Sequence, residues 1–120
     1  MRKARTTNPE LKELTSFLRK QSRQNKVKVW RDIAERLNKT KRKRIAVNLS
    51  RLNRYTQKSE TVAVPGKVLA TGEITHSITI AAFAFSGKAR GKIVAARGKC
   101  VSFPDLIKKN PTGSKVKIIG

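Results

Sequence analysis

The groups able to do acid–base, nucleophilic or metal chemistry are few in this chain. Its 120 residues include seven carboxylates, one histidine and one cysteine. Glu10 and Glu13 fall in the first turn of an expected helix, where they suit the positive end of its dipole. Asp32 and Glu35 lie among basic residues on another expected helix and read as ion-pair partners. His76 precedes an expected strand, with no identifiable group to orient it as a general base. Lys99 beside Cys100 would lower the thiol pKa. The cysteine nevertheless falls in an expected buried strand and reads as an inert core residue. A lone cysteine forms no intramolecular disulfide, which fits a reducing compartment. With only His76 beside it, it assembles no zinc site of the usual kind. The stretch 86–92, Ser-Gly-Lys-Ala-Arg-Gly-Lys, lacks the first glycine and the spacing of a nucleotide phosphate loop. The expectation is no catalytic residue, no metal, no cofactor and no small-molecule substrate.

The abundant chemistry is cationic. Lysine and arginine number 29 against 7 acids, a net charge of +22. Self-repulsion of that size opposes compaction, so a polyanionic partner is implied. Arg2, Lys3 and Arg5 form an N-terminal arm. Lys39, Lys41, Arg42, Lys43 and Arg44 form a run between two apolar helices. Arg51 and Arg54, at i,i+3, share a helix face, with Asn48 one turn earlier and Asn53 between them. Lys67 follows a Pro-Gly pair. Lys88 falls at an expected helix N-terminus, either as a phosphate contact or as a solvated lysine on a capped helix. One basic run alone would read as a solvated face or an import signal. Several runs with scarce acids read as nucleic-acid binding, since each phosphate neutralised releases counterions. The six aromatics fall mostly on apolar faces, and no strand sets out a stacking pair. No helix-turn-helix spacing is present. Folded RNA, read through backbone and shape, is therefore favoured over duplex DNA.

The elements that must position these residues divide the chain. Residues 1–60 carry 19 basic and 5 acidic residues, residues 61–120 only 10 and 2; Leu, Ile, Val and Phe number 12 and 18 in the same halves. The first half reads as helices and arms, the second as the folding core. After a tail (1–8), Asn8 caps and Pro9 opens a helix to about residue 25, with Leu11, Leu14, Phe17 and Leu18 as one stripe. Trp30, Ile33, Ala34 and Leu37 mark a second helix; Ile45, Leu49 and Leu52 suggest a third, ending near Tyr55. The period then changes to strands at 61–64 and 67–70, with Pro65-Gly66 as a turn. A strand at 77–85, apolar on both faces, reads as central and covered on both sides. Ser86 caps a helix to about Arg97, with Gly98 in the left-handed position after it. A short strand (99–101), a helix from Pro104 to about Asn110 and a strand at 116–119 follow. The reading is one α/β domain over 1–120. It has a basic tail (1–8), a basic helical part (9–57) and an α/β core (60–120) with a small mixed sheet and strand–strand–helix turns, an irregular superhelical stack. The longest apolar run, 78–85, is far short of a membrane span, and no secretory signal opens the chain.

Val47-Asn48-Leu49-Ser50-Arg51-Leu52-Asn53-Arg54-Tyr55-Thr56 is the most specific stretch. Val62-Ala63-Val64-Pro65-Gly66-Lys67-Val68-Leu69, Thr79-Ile80-Ala81-Ala82-Phe83 and Phe85-Ser86 support it. With these motifs the chain resembles, over essentially its whole length, the archaeal and eukaryotic large-subunit ribosomal protein family numbered eighteen in the eukaryotic series. That family is related to bacterial large-subunit protein fifteen. The resemblance implies an archaeal member, located in the cytoplasmic ribosome, that binds large-subunit ribosomal RNA beside neighbouring ribosomal proteins, without cofactor or catalysis. It carries RNA contact onto the 41–44 run and onto Asn48, Arg51, Asn53 and Arg54. Contacts by Arg2, Lys3, Arg5, Lys67 and Lys88 rest on charge. Relatives often carry Gly where this chain has Ala70 and Arg97, which puts local backbone geometry there in question. The rival readings are a chromatin-type or other non-ribosomal nucleic-acid-binding protein, favoured by comparable affinity for duplex DNA, and an RNA-modifying enzyme using Asp32, Glu35 or His76.

Overall fold

The computed structural model describes residues 9–38 and 45–119. Asn8, the expected cap, lies outside them; Pro9 does open the first helix. The elements run α1 (Pro9–Asn25), α2 (Lys28–Leu37), β1 (Ile45–Asn48), α3 (Leu49–Tyr55), β2 (Thr61–Leu69), β3 (Thr79–Phe85), α4 (Gly87–Ala95), β4 (Lys99–Val101), α5 (Phe103–Lys109) and β5 (Val116–Ile118).

The α/β class is as expected, and the sheet is parallel in every pairing rather than mixed. Helices α3, α4 and α5 carry the chain back between strands, as parallel pairing requires. Strand β3 lies along one edge of β2 and is itself flanked by β4. The other edge of β2 is shared: β5 pairs with Thr61–Ala63 and β1 with Gly66–Leu69.

Two local readings change. Residues 61–69 form one strand, not two strands about a turn, and the register with β3 shifts between Val64 and Lys67. Pro65, which has no N–H to give a ladder, sits within that irregularity, where proline is tolerated. Residues 45–48 are a strand, not the start of a helix. Pairing of Ile45 through Asn48 with Gly66 through Leu69 overrides the i, i+4, i+7 spacing, and only Leu49 and Leu52 remain on α3.

Side chains alternate across the sheet and build two cores. Val62, Val64, Val68, Ile80 and Ala82 face α3 and α4, meeting Leu49, Leu52, Ala89 and Ile93. Ala63 and Ala81, paired across β2 and β3, face the other way. Their small size makes room for Trp30, Ile33 and Ala34 of α2, and for Phe103, Leu106 and Ile107 of α5. Strand β3 is thus central and covered on both faces, as its two apolar sides required. The ends of α4 differ from expectation at one residue. Ser86 accepts from the Ala89 N–H at 3.1 Å, as a cap should. At the other end the left-handed residue is Arg97 (φ 66°), not Gly98. Gly98 N–H bonds the Ile93 carbonyl and Arg97 N–H the Val94 carbonyl, both at 2.9 Å. That pair of bonds closes a Schellman turn. Gly98 is needed for a different reason: a Cβ there would lie 2.5 Å from the Ile78 carbonyl oxygen.

Candidate nucleic-acid interface

Helix α3 carries the best-defined group of site residues. Its buried residues Leu49 and Leu52 fix its rotation, so Arg51 and Arg54 face solvent. Both guanidinium carbons lie 5.9 Å from the centre of the Tyr55 ring. Tyr55 is 54% exposed. The end of this helix is held firmly. The Thr56 hydroxyl donates to the Leu52 carbonyl at 2.6 Å, so the same oxygen accepts from His76 Nε2 at 2.8 Å. Lys117 Nζ donates to the Tyr55 carbonyl at 3.1 Å and pairs with Glu60 at 3.2 Å. The Gln57 N–H, and then the Lys117 ammonium, hold the Glu60 carboxyl below the ordinary glutamate value.

The two asparagines are turned inward. Asn53 Oδ1 accepts from both the N–H and the hydroxyl of Thr75 at 3.0 Å, fastening the loop before β3. Asn48 precedes α3 in extended conformation but makes no side-chain cap; its Oδ1 is buried without a hydrogen-bond partner among the described residues. Lys88 is exposed in the first turn of α4, at the end of the sheet where β3 finishes. The Ala89 N–H of that turn is already taken by the Ser86 hydroxyl. Lys67 is exposed at the rim of a cavity of about 290 Å³ whose walls include Leu11, Leu37, Pro65 and Phe83. Arg51 and Arg54 therefore come together, while Lys67 and Lys88 stand elsewhere on the surface. Arg2, Lys3, Arg5, Lys39, Lys41, Arg42, Lys43 and Arg44 lie outside the described residues.

Two features escaped the sequence reading. Arg19, Arg23, Lys26, Lys28 and Arg31 line one cleft of about 560 Å³ between α1 and α2, with Glu35 as the acid among the lining residues. None of them was singled out from the sequence; the hairpin brings them together. Its turn is closed by the Val27 N–H on the Ser22 carbonyl at 3.1 Å and by the Ser22 hydroxyl on the Val27 carbonyl. Lys92 is the second. Its ammonium bonds the carbonyls of Ala70 (3.0 Å) and Gly72 (2.8 Å) and lies 3.6 Å from Glu73, so it pins the loop leaving β2. Only a contact 20 residues away in sequence reveals this, and no local pattern signals it.

Glu35 pairs with Arg31 at 3.4 Å, both well exposed. Burial pushes the Cys100 thiol up, away from the reactive thiolate. No three His, Cys, Asp or Glu side chains among the described residues group to hold a metal ion. No helix among them is long and apolar enough to cross a membrane.

The chain is an α/β protein whose 29 cations outnumber its 7 carboxylates. Comparison over the whole chain gives its family. Residues 1–120 match the family model described as ribosomal protein 60S L18 and 50S L18e. A large ribosomal subunit protein eL18 of Methanoregula boonei is 49% identical over 94% of this chain and 93% of its own length. That of Methanospirillum hungatei is 45% identical over the same shares, and that of Pyrobaculum aerophilum 42%. The chain belongs to this L18/L18e family of large-subunit ribosomal proteins.

Proposed function

We propose that the chain is a structural constituent of the large ribosomal subunit, in the cytoplasmic ribosome, that binds and stabilises large-subunit ribosomal RNA. It acts as a single domain over 1–120, without catalysis or cofactor and beside neighbouring ribosomal proteins. The observation that carries this is the charge of a chain in this family. With 29 cations and 7 carboxylates, at least 22 cations have no carboxylate of their own, and phosphate is what supplies them. The tail residues Arg2, Lys3 and Arg5, the cations Lys39, Lys41, Arg42, Lys43 and Arg44, the α3 face, Lys67 and Lys88 neutralise phosphates between RNA helices packed side by side. Asn48 and Asn53 join that face as further RNA contacts, Asn53 while also fastening the loop before β3.

Gradient sedimentation of a lysate, with and without a high-salt wash, tests the reading. Stoichiometric migration with the large subunit is expected. Absence from ribosomes, with nuclease-sensitive migration in a DNA fraction, would leave a chromatin-type binder instead.

A further inference from the structure

Tyr55 stands out among the six aromatic residues. Trp30 and Phe103 are buried, and Phe17, Phe83 and Phe85 are half-buried against the two cores. Tyr55 is more than half exposed and packs in neither core. An exposed tyrosine on a surface otherwise crowded with charge is unexplained by folding. Its surroundings are specific. Arg51 and Arg54 place two guanidiniums at 5.9 Å from its centre, at the outer limit of cation–π attraction, beyond the ~3.5–4 Å of direct stacking contact. The backbone beneath it is fixed by the Lys117 bond to its carbonyl and by buried Thr56. The neighbouring acid, Glu60, is already engaged by Lys117 and Gln57. The result is a half-exposed tyrosine ring with two guanidiniums over it and, among the described residues, its neighbouring acid already engaged.

We infer that Tyr55 is a stacking platform for an unpaired base of the ribosomal RNA, with Arg51 and Arg54 on the phosphates that flank that base. The inference rests on the RNA-binding reading and adds a base contact to an interface otherwise made of phosphate contacts. An exposed aromatic ring with two cations close by, too far at 5.9 Å to be in direct stacking contact, fits a flat base attached to a polyanion. An acidic peptide would satisfy the arginines and leave the ring without a partner.

Phosphate and stacking contacts differ in salt dependence, which separates them. The full chain and its variants are titrated by filter binding against a transcript of archaeal large-subunit ribosomal RNA across a KCl series. Tyr55→Phe keeps wild-type affinity. Tyr55→Ala and Tyr55→Leu each lose about tenfold, within the range for one stacked base, with the salt slope unchanged. Arg51→Ala and Arg54→Ala instead lower the slope by about 1 each. The ring is exposed, so Tyr55→Ala keeps its thermal midpoint; if it does not, Tyr55→Leu and Tyr55→Phe carry the comparison. Wild-type affinity in Tyr55→Ala and Tyr55→Leu overturns the proposal and turns the ring toward a protein neighbour. A fall in slope matching the arginine variants overturns it too, because the ring would then only position the guanidiniums. A wild-type chain that does not bind the transcript overturns this proposal and the RNA reading together.

Discussion

Trp30 Nε1 donates a hydrogen bond of 2.8 Å to the carbonyl oxygen of Pro111, joining residues 81 apart in the chain. The indole is fully buried between α2 and the Ala63–Ala81 face of the sheet. Its one polar atom is satisfied by the loop after α5, so the same side chain fills the second core and ties down the route into β5. Trp30→Phe removes that bond and leaves a void beside the alanines. It is expected to destabilise the protein by about 2–3 kcal/mol, measured by urea unfolding followed by circular dichroism.

The end of α4 supports a pair of opposite substitutions. Arg97 occupies the left-handed region with a side chain that opposes it. Arg97→Gly is expected to stabilise the chain by roughly 0.5–1 kcal/mol, the relief of that conformation less the added freedom of the unfolded glycine. Gly98→Ala, one residue on, drives a methyl group into the Ile78 carbonyl and costs about 2–3 kcal/mol. Equal effects of the two changes in thermal melts would refute this division of roles.

Gly91 lies inside α4, where an added Cβ meets nothing within 4 Å. Gly91→Ala therefore stabilises the isolated protein by about 0.5–1 kcal/mol through helix propensity alone. A lower melting temperature in that variant would show a close approach that the free chain does not display.

Acid weakens the contact around Glu60. Its folded carboxyl titrates below the ordinary value of 4.5, so the stability it contributes is present above that value and is lost as pH falls through the folded one. The stability gap between wild type and Glu60→Gln is expected to be constant near neutrality and to close below about pH 4.5. A gap that persisted unchanged at pH 3 would remove Gln57 and Lys117 as the cause.

Much of this architecture is legible from one-dimensional pattern. Leu11 and Leu18 on α1, and Trp30, Ile33, Ala34 and Leu37 on α2, are buried as their spacing required. The two-sided apolar strand at β3 and the Ser86 cap are likewise local signals with local causes. What local pattern misses depends on partners. Ile45 has helical spacing to Leu49 and Leu52, but strand β1 exists because Gly66 through Leu69 are available to pair with it. Pro65-Gly66 has turn chemistry, yet β3 and β1 hold it within one strand. Gly98 and Arg97 exchange roles because the Ile78 carbonyl, just before β3 and 20 residues away in sequence, decides where a side chain has room. The site divides the same way. Arg51 and Arg54 share a face because helix periodicity says so. The grouping of Arg19, Arg23, Lys26, Lys28 and Arg31 needs the α1–α2 hairpin. The exposure of Tyr55 needs the packing of everything beneath α3.

The shared edge of β2 sets an order of events during synthesis. A chain made from its N-terminus presents β2 once residue 69 has emerged, but the edge of Thr61–Ala63 that faces away from β3 has no partner until Val116–Ile118 follow. At about 5–20 residues per second, that interval lasts roughly 2–10 s. For those seconds half of the edge of an apolar strand is open, the kind of template that recruits other nascent chains. The positive charge of the first half is by then already displayed, and it repels neighbouring copies from that edge. The cationic surface thus keeps newborn copies apart while that edge waits for its last strand.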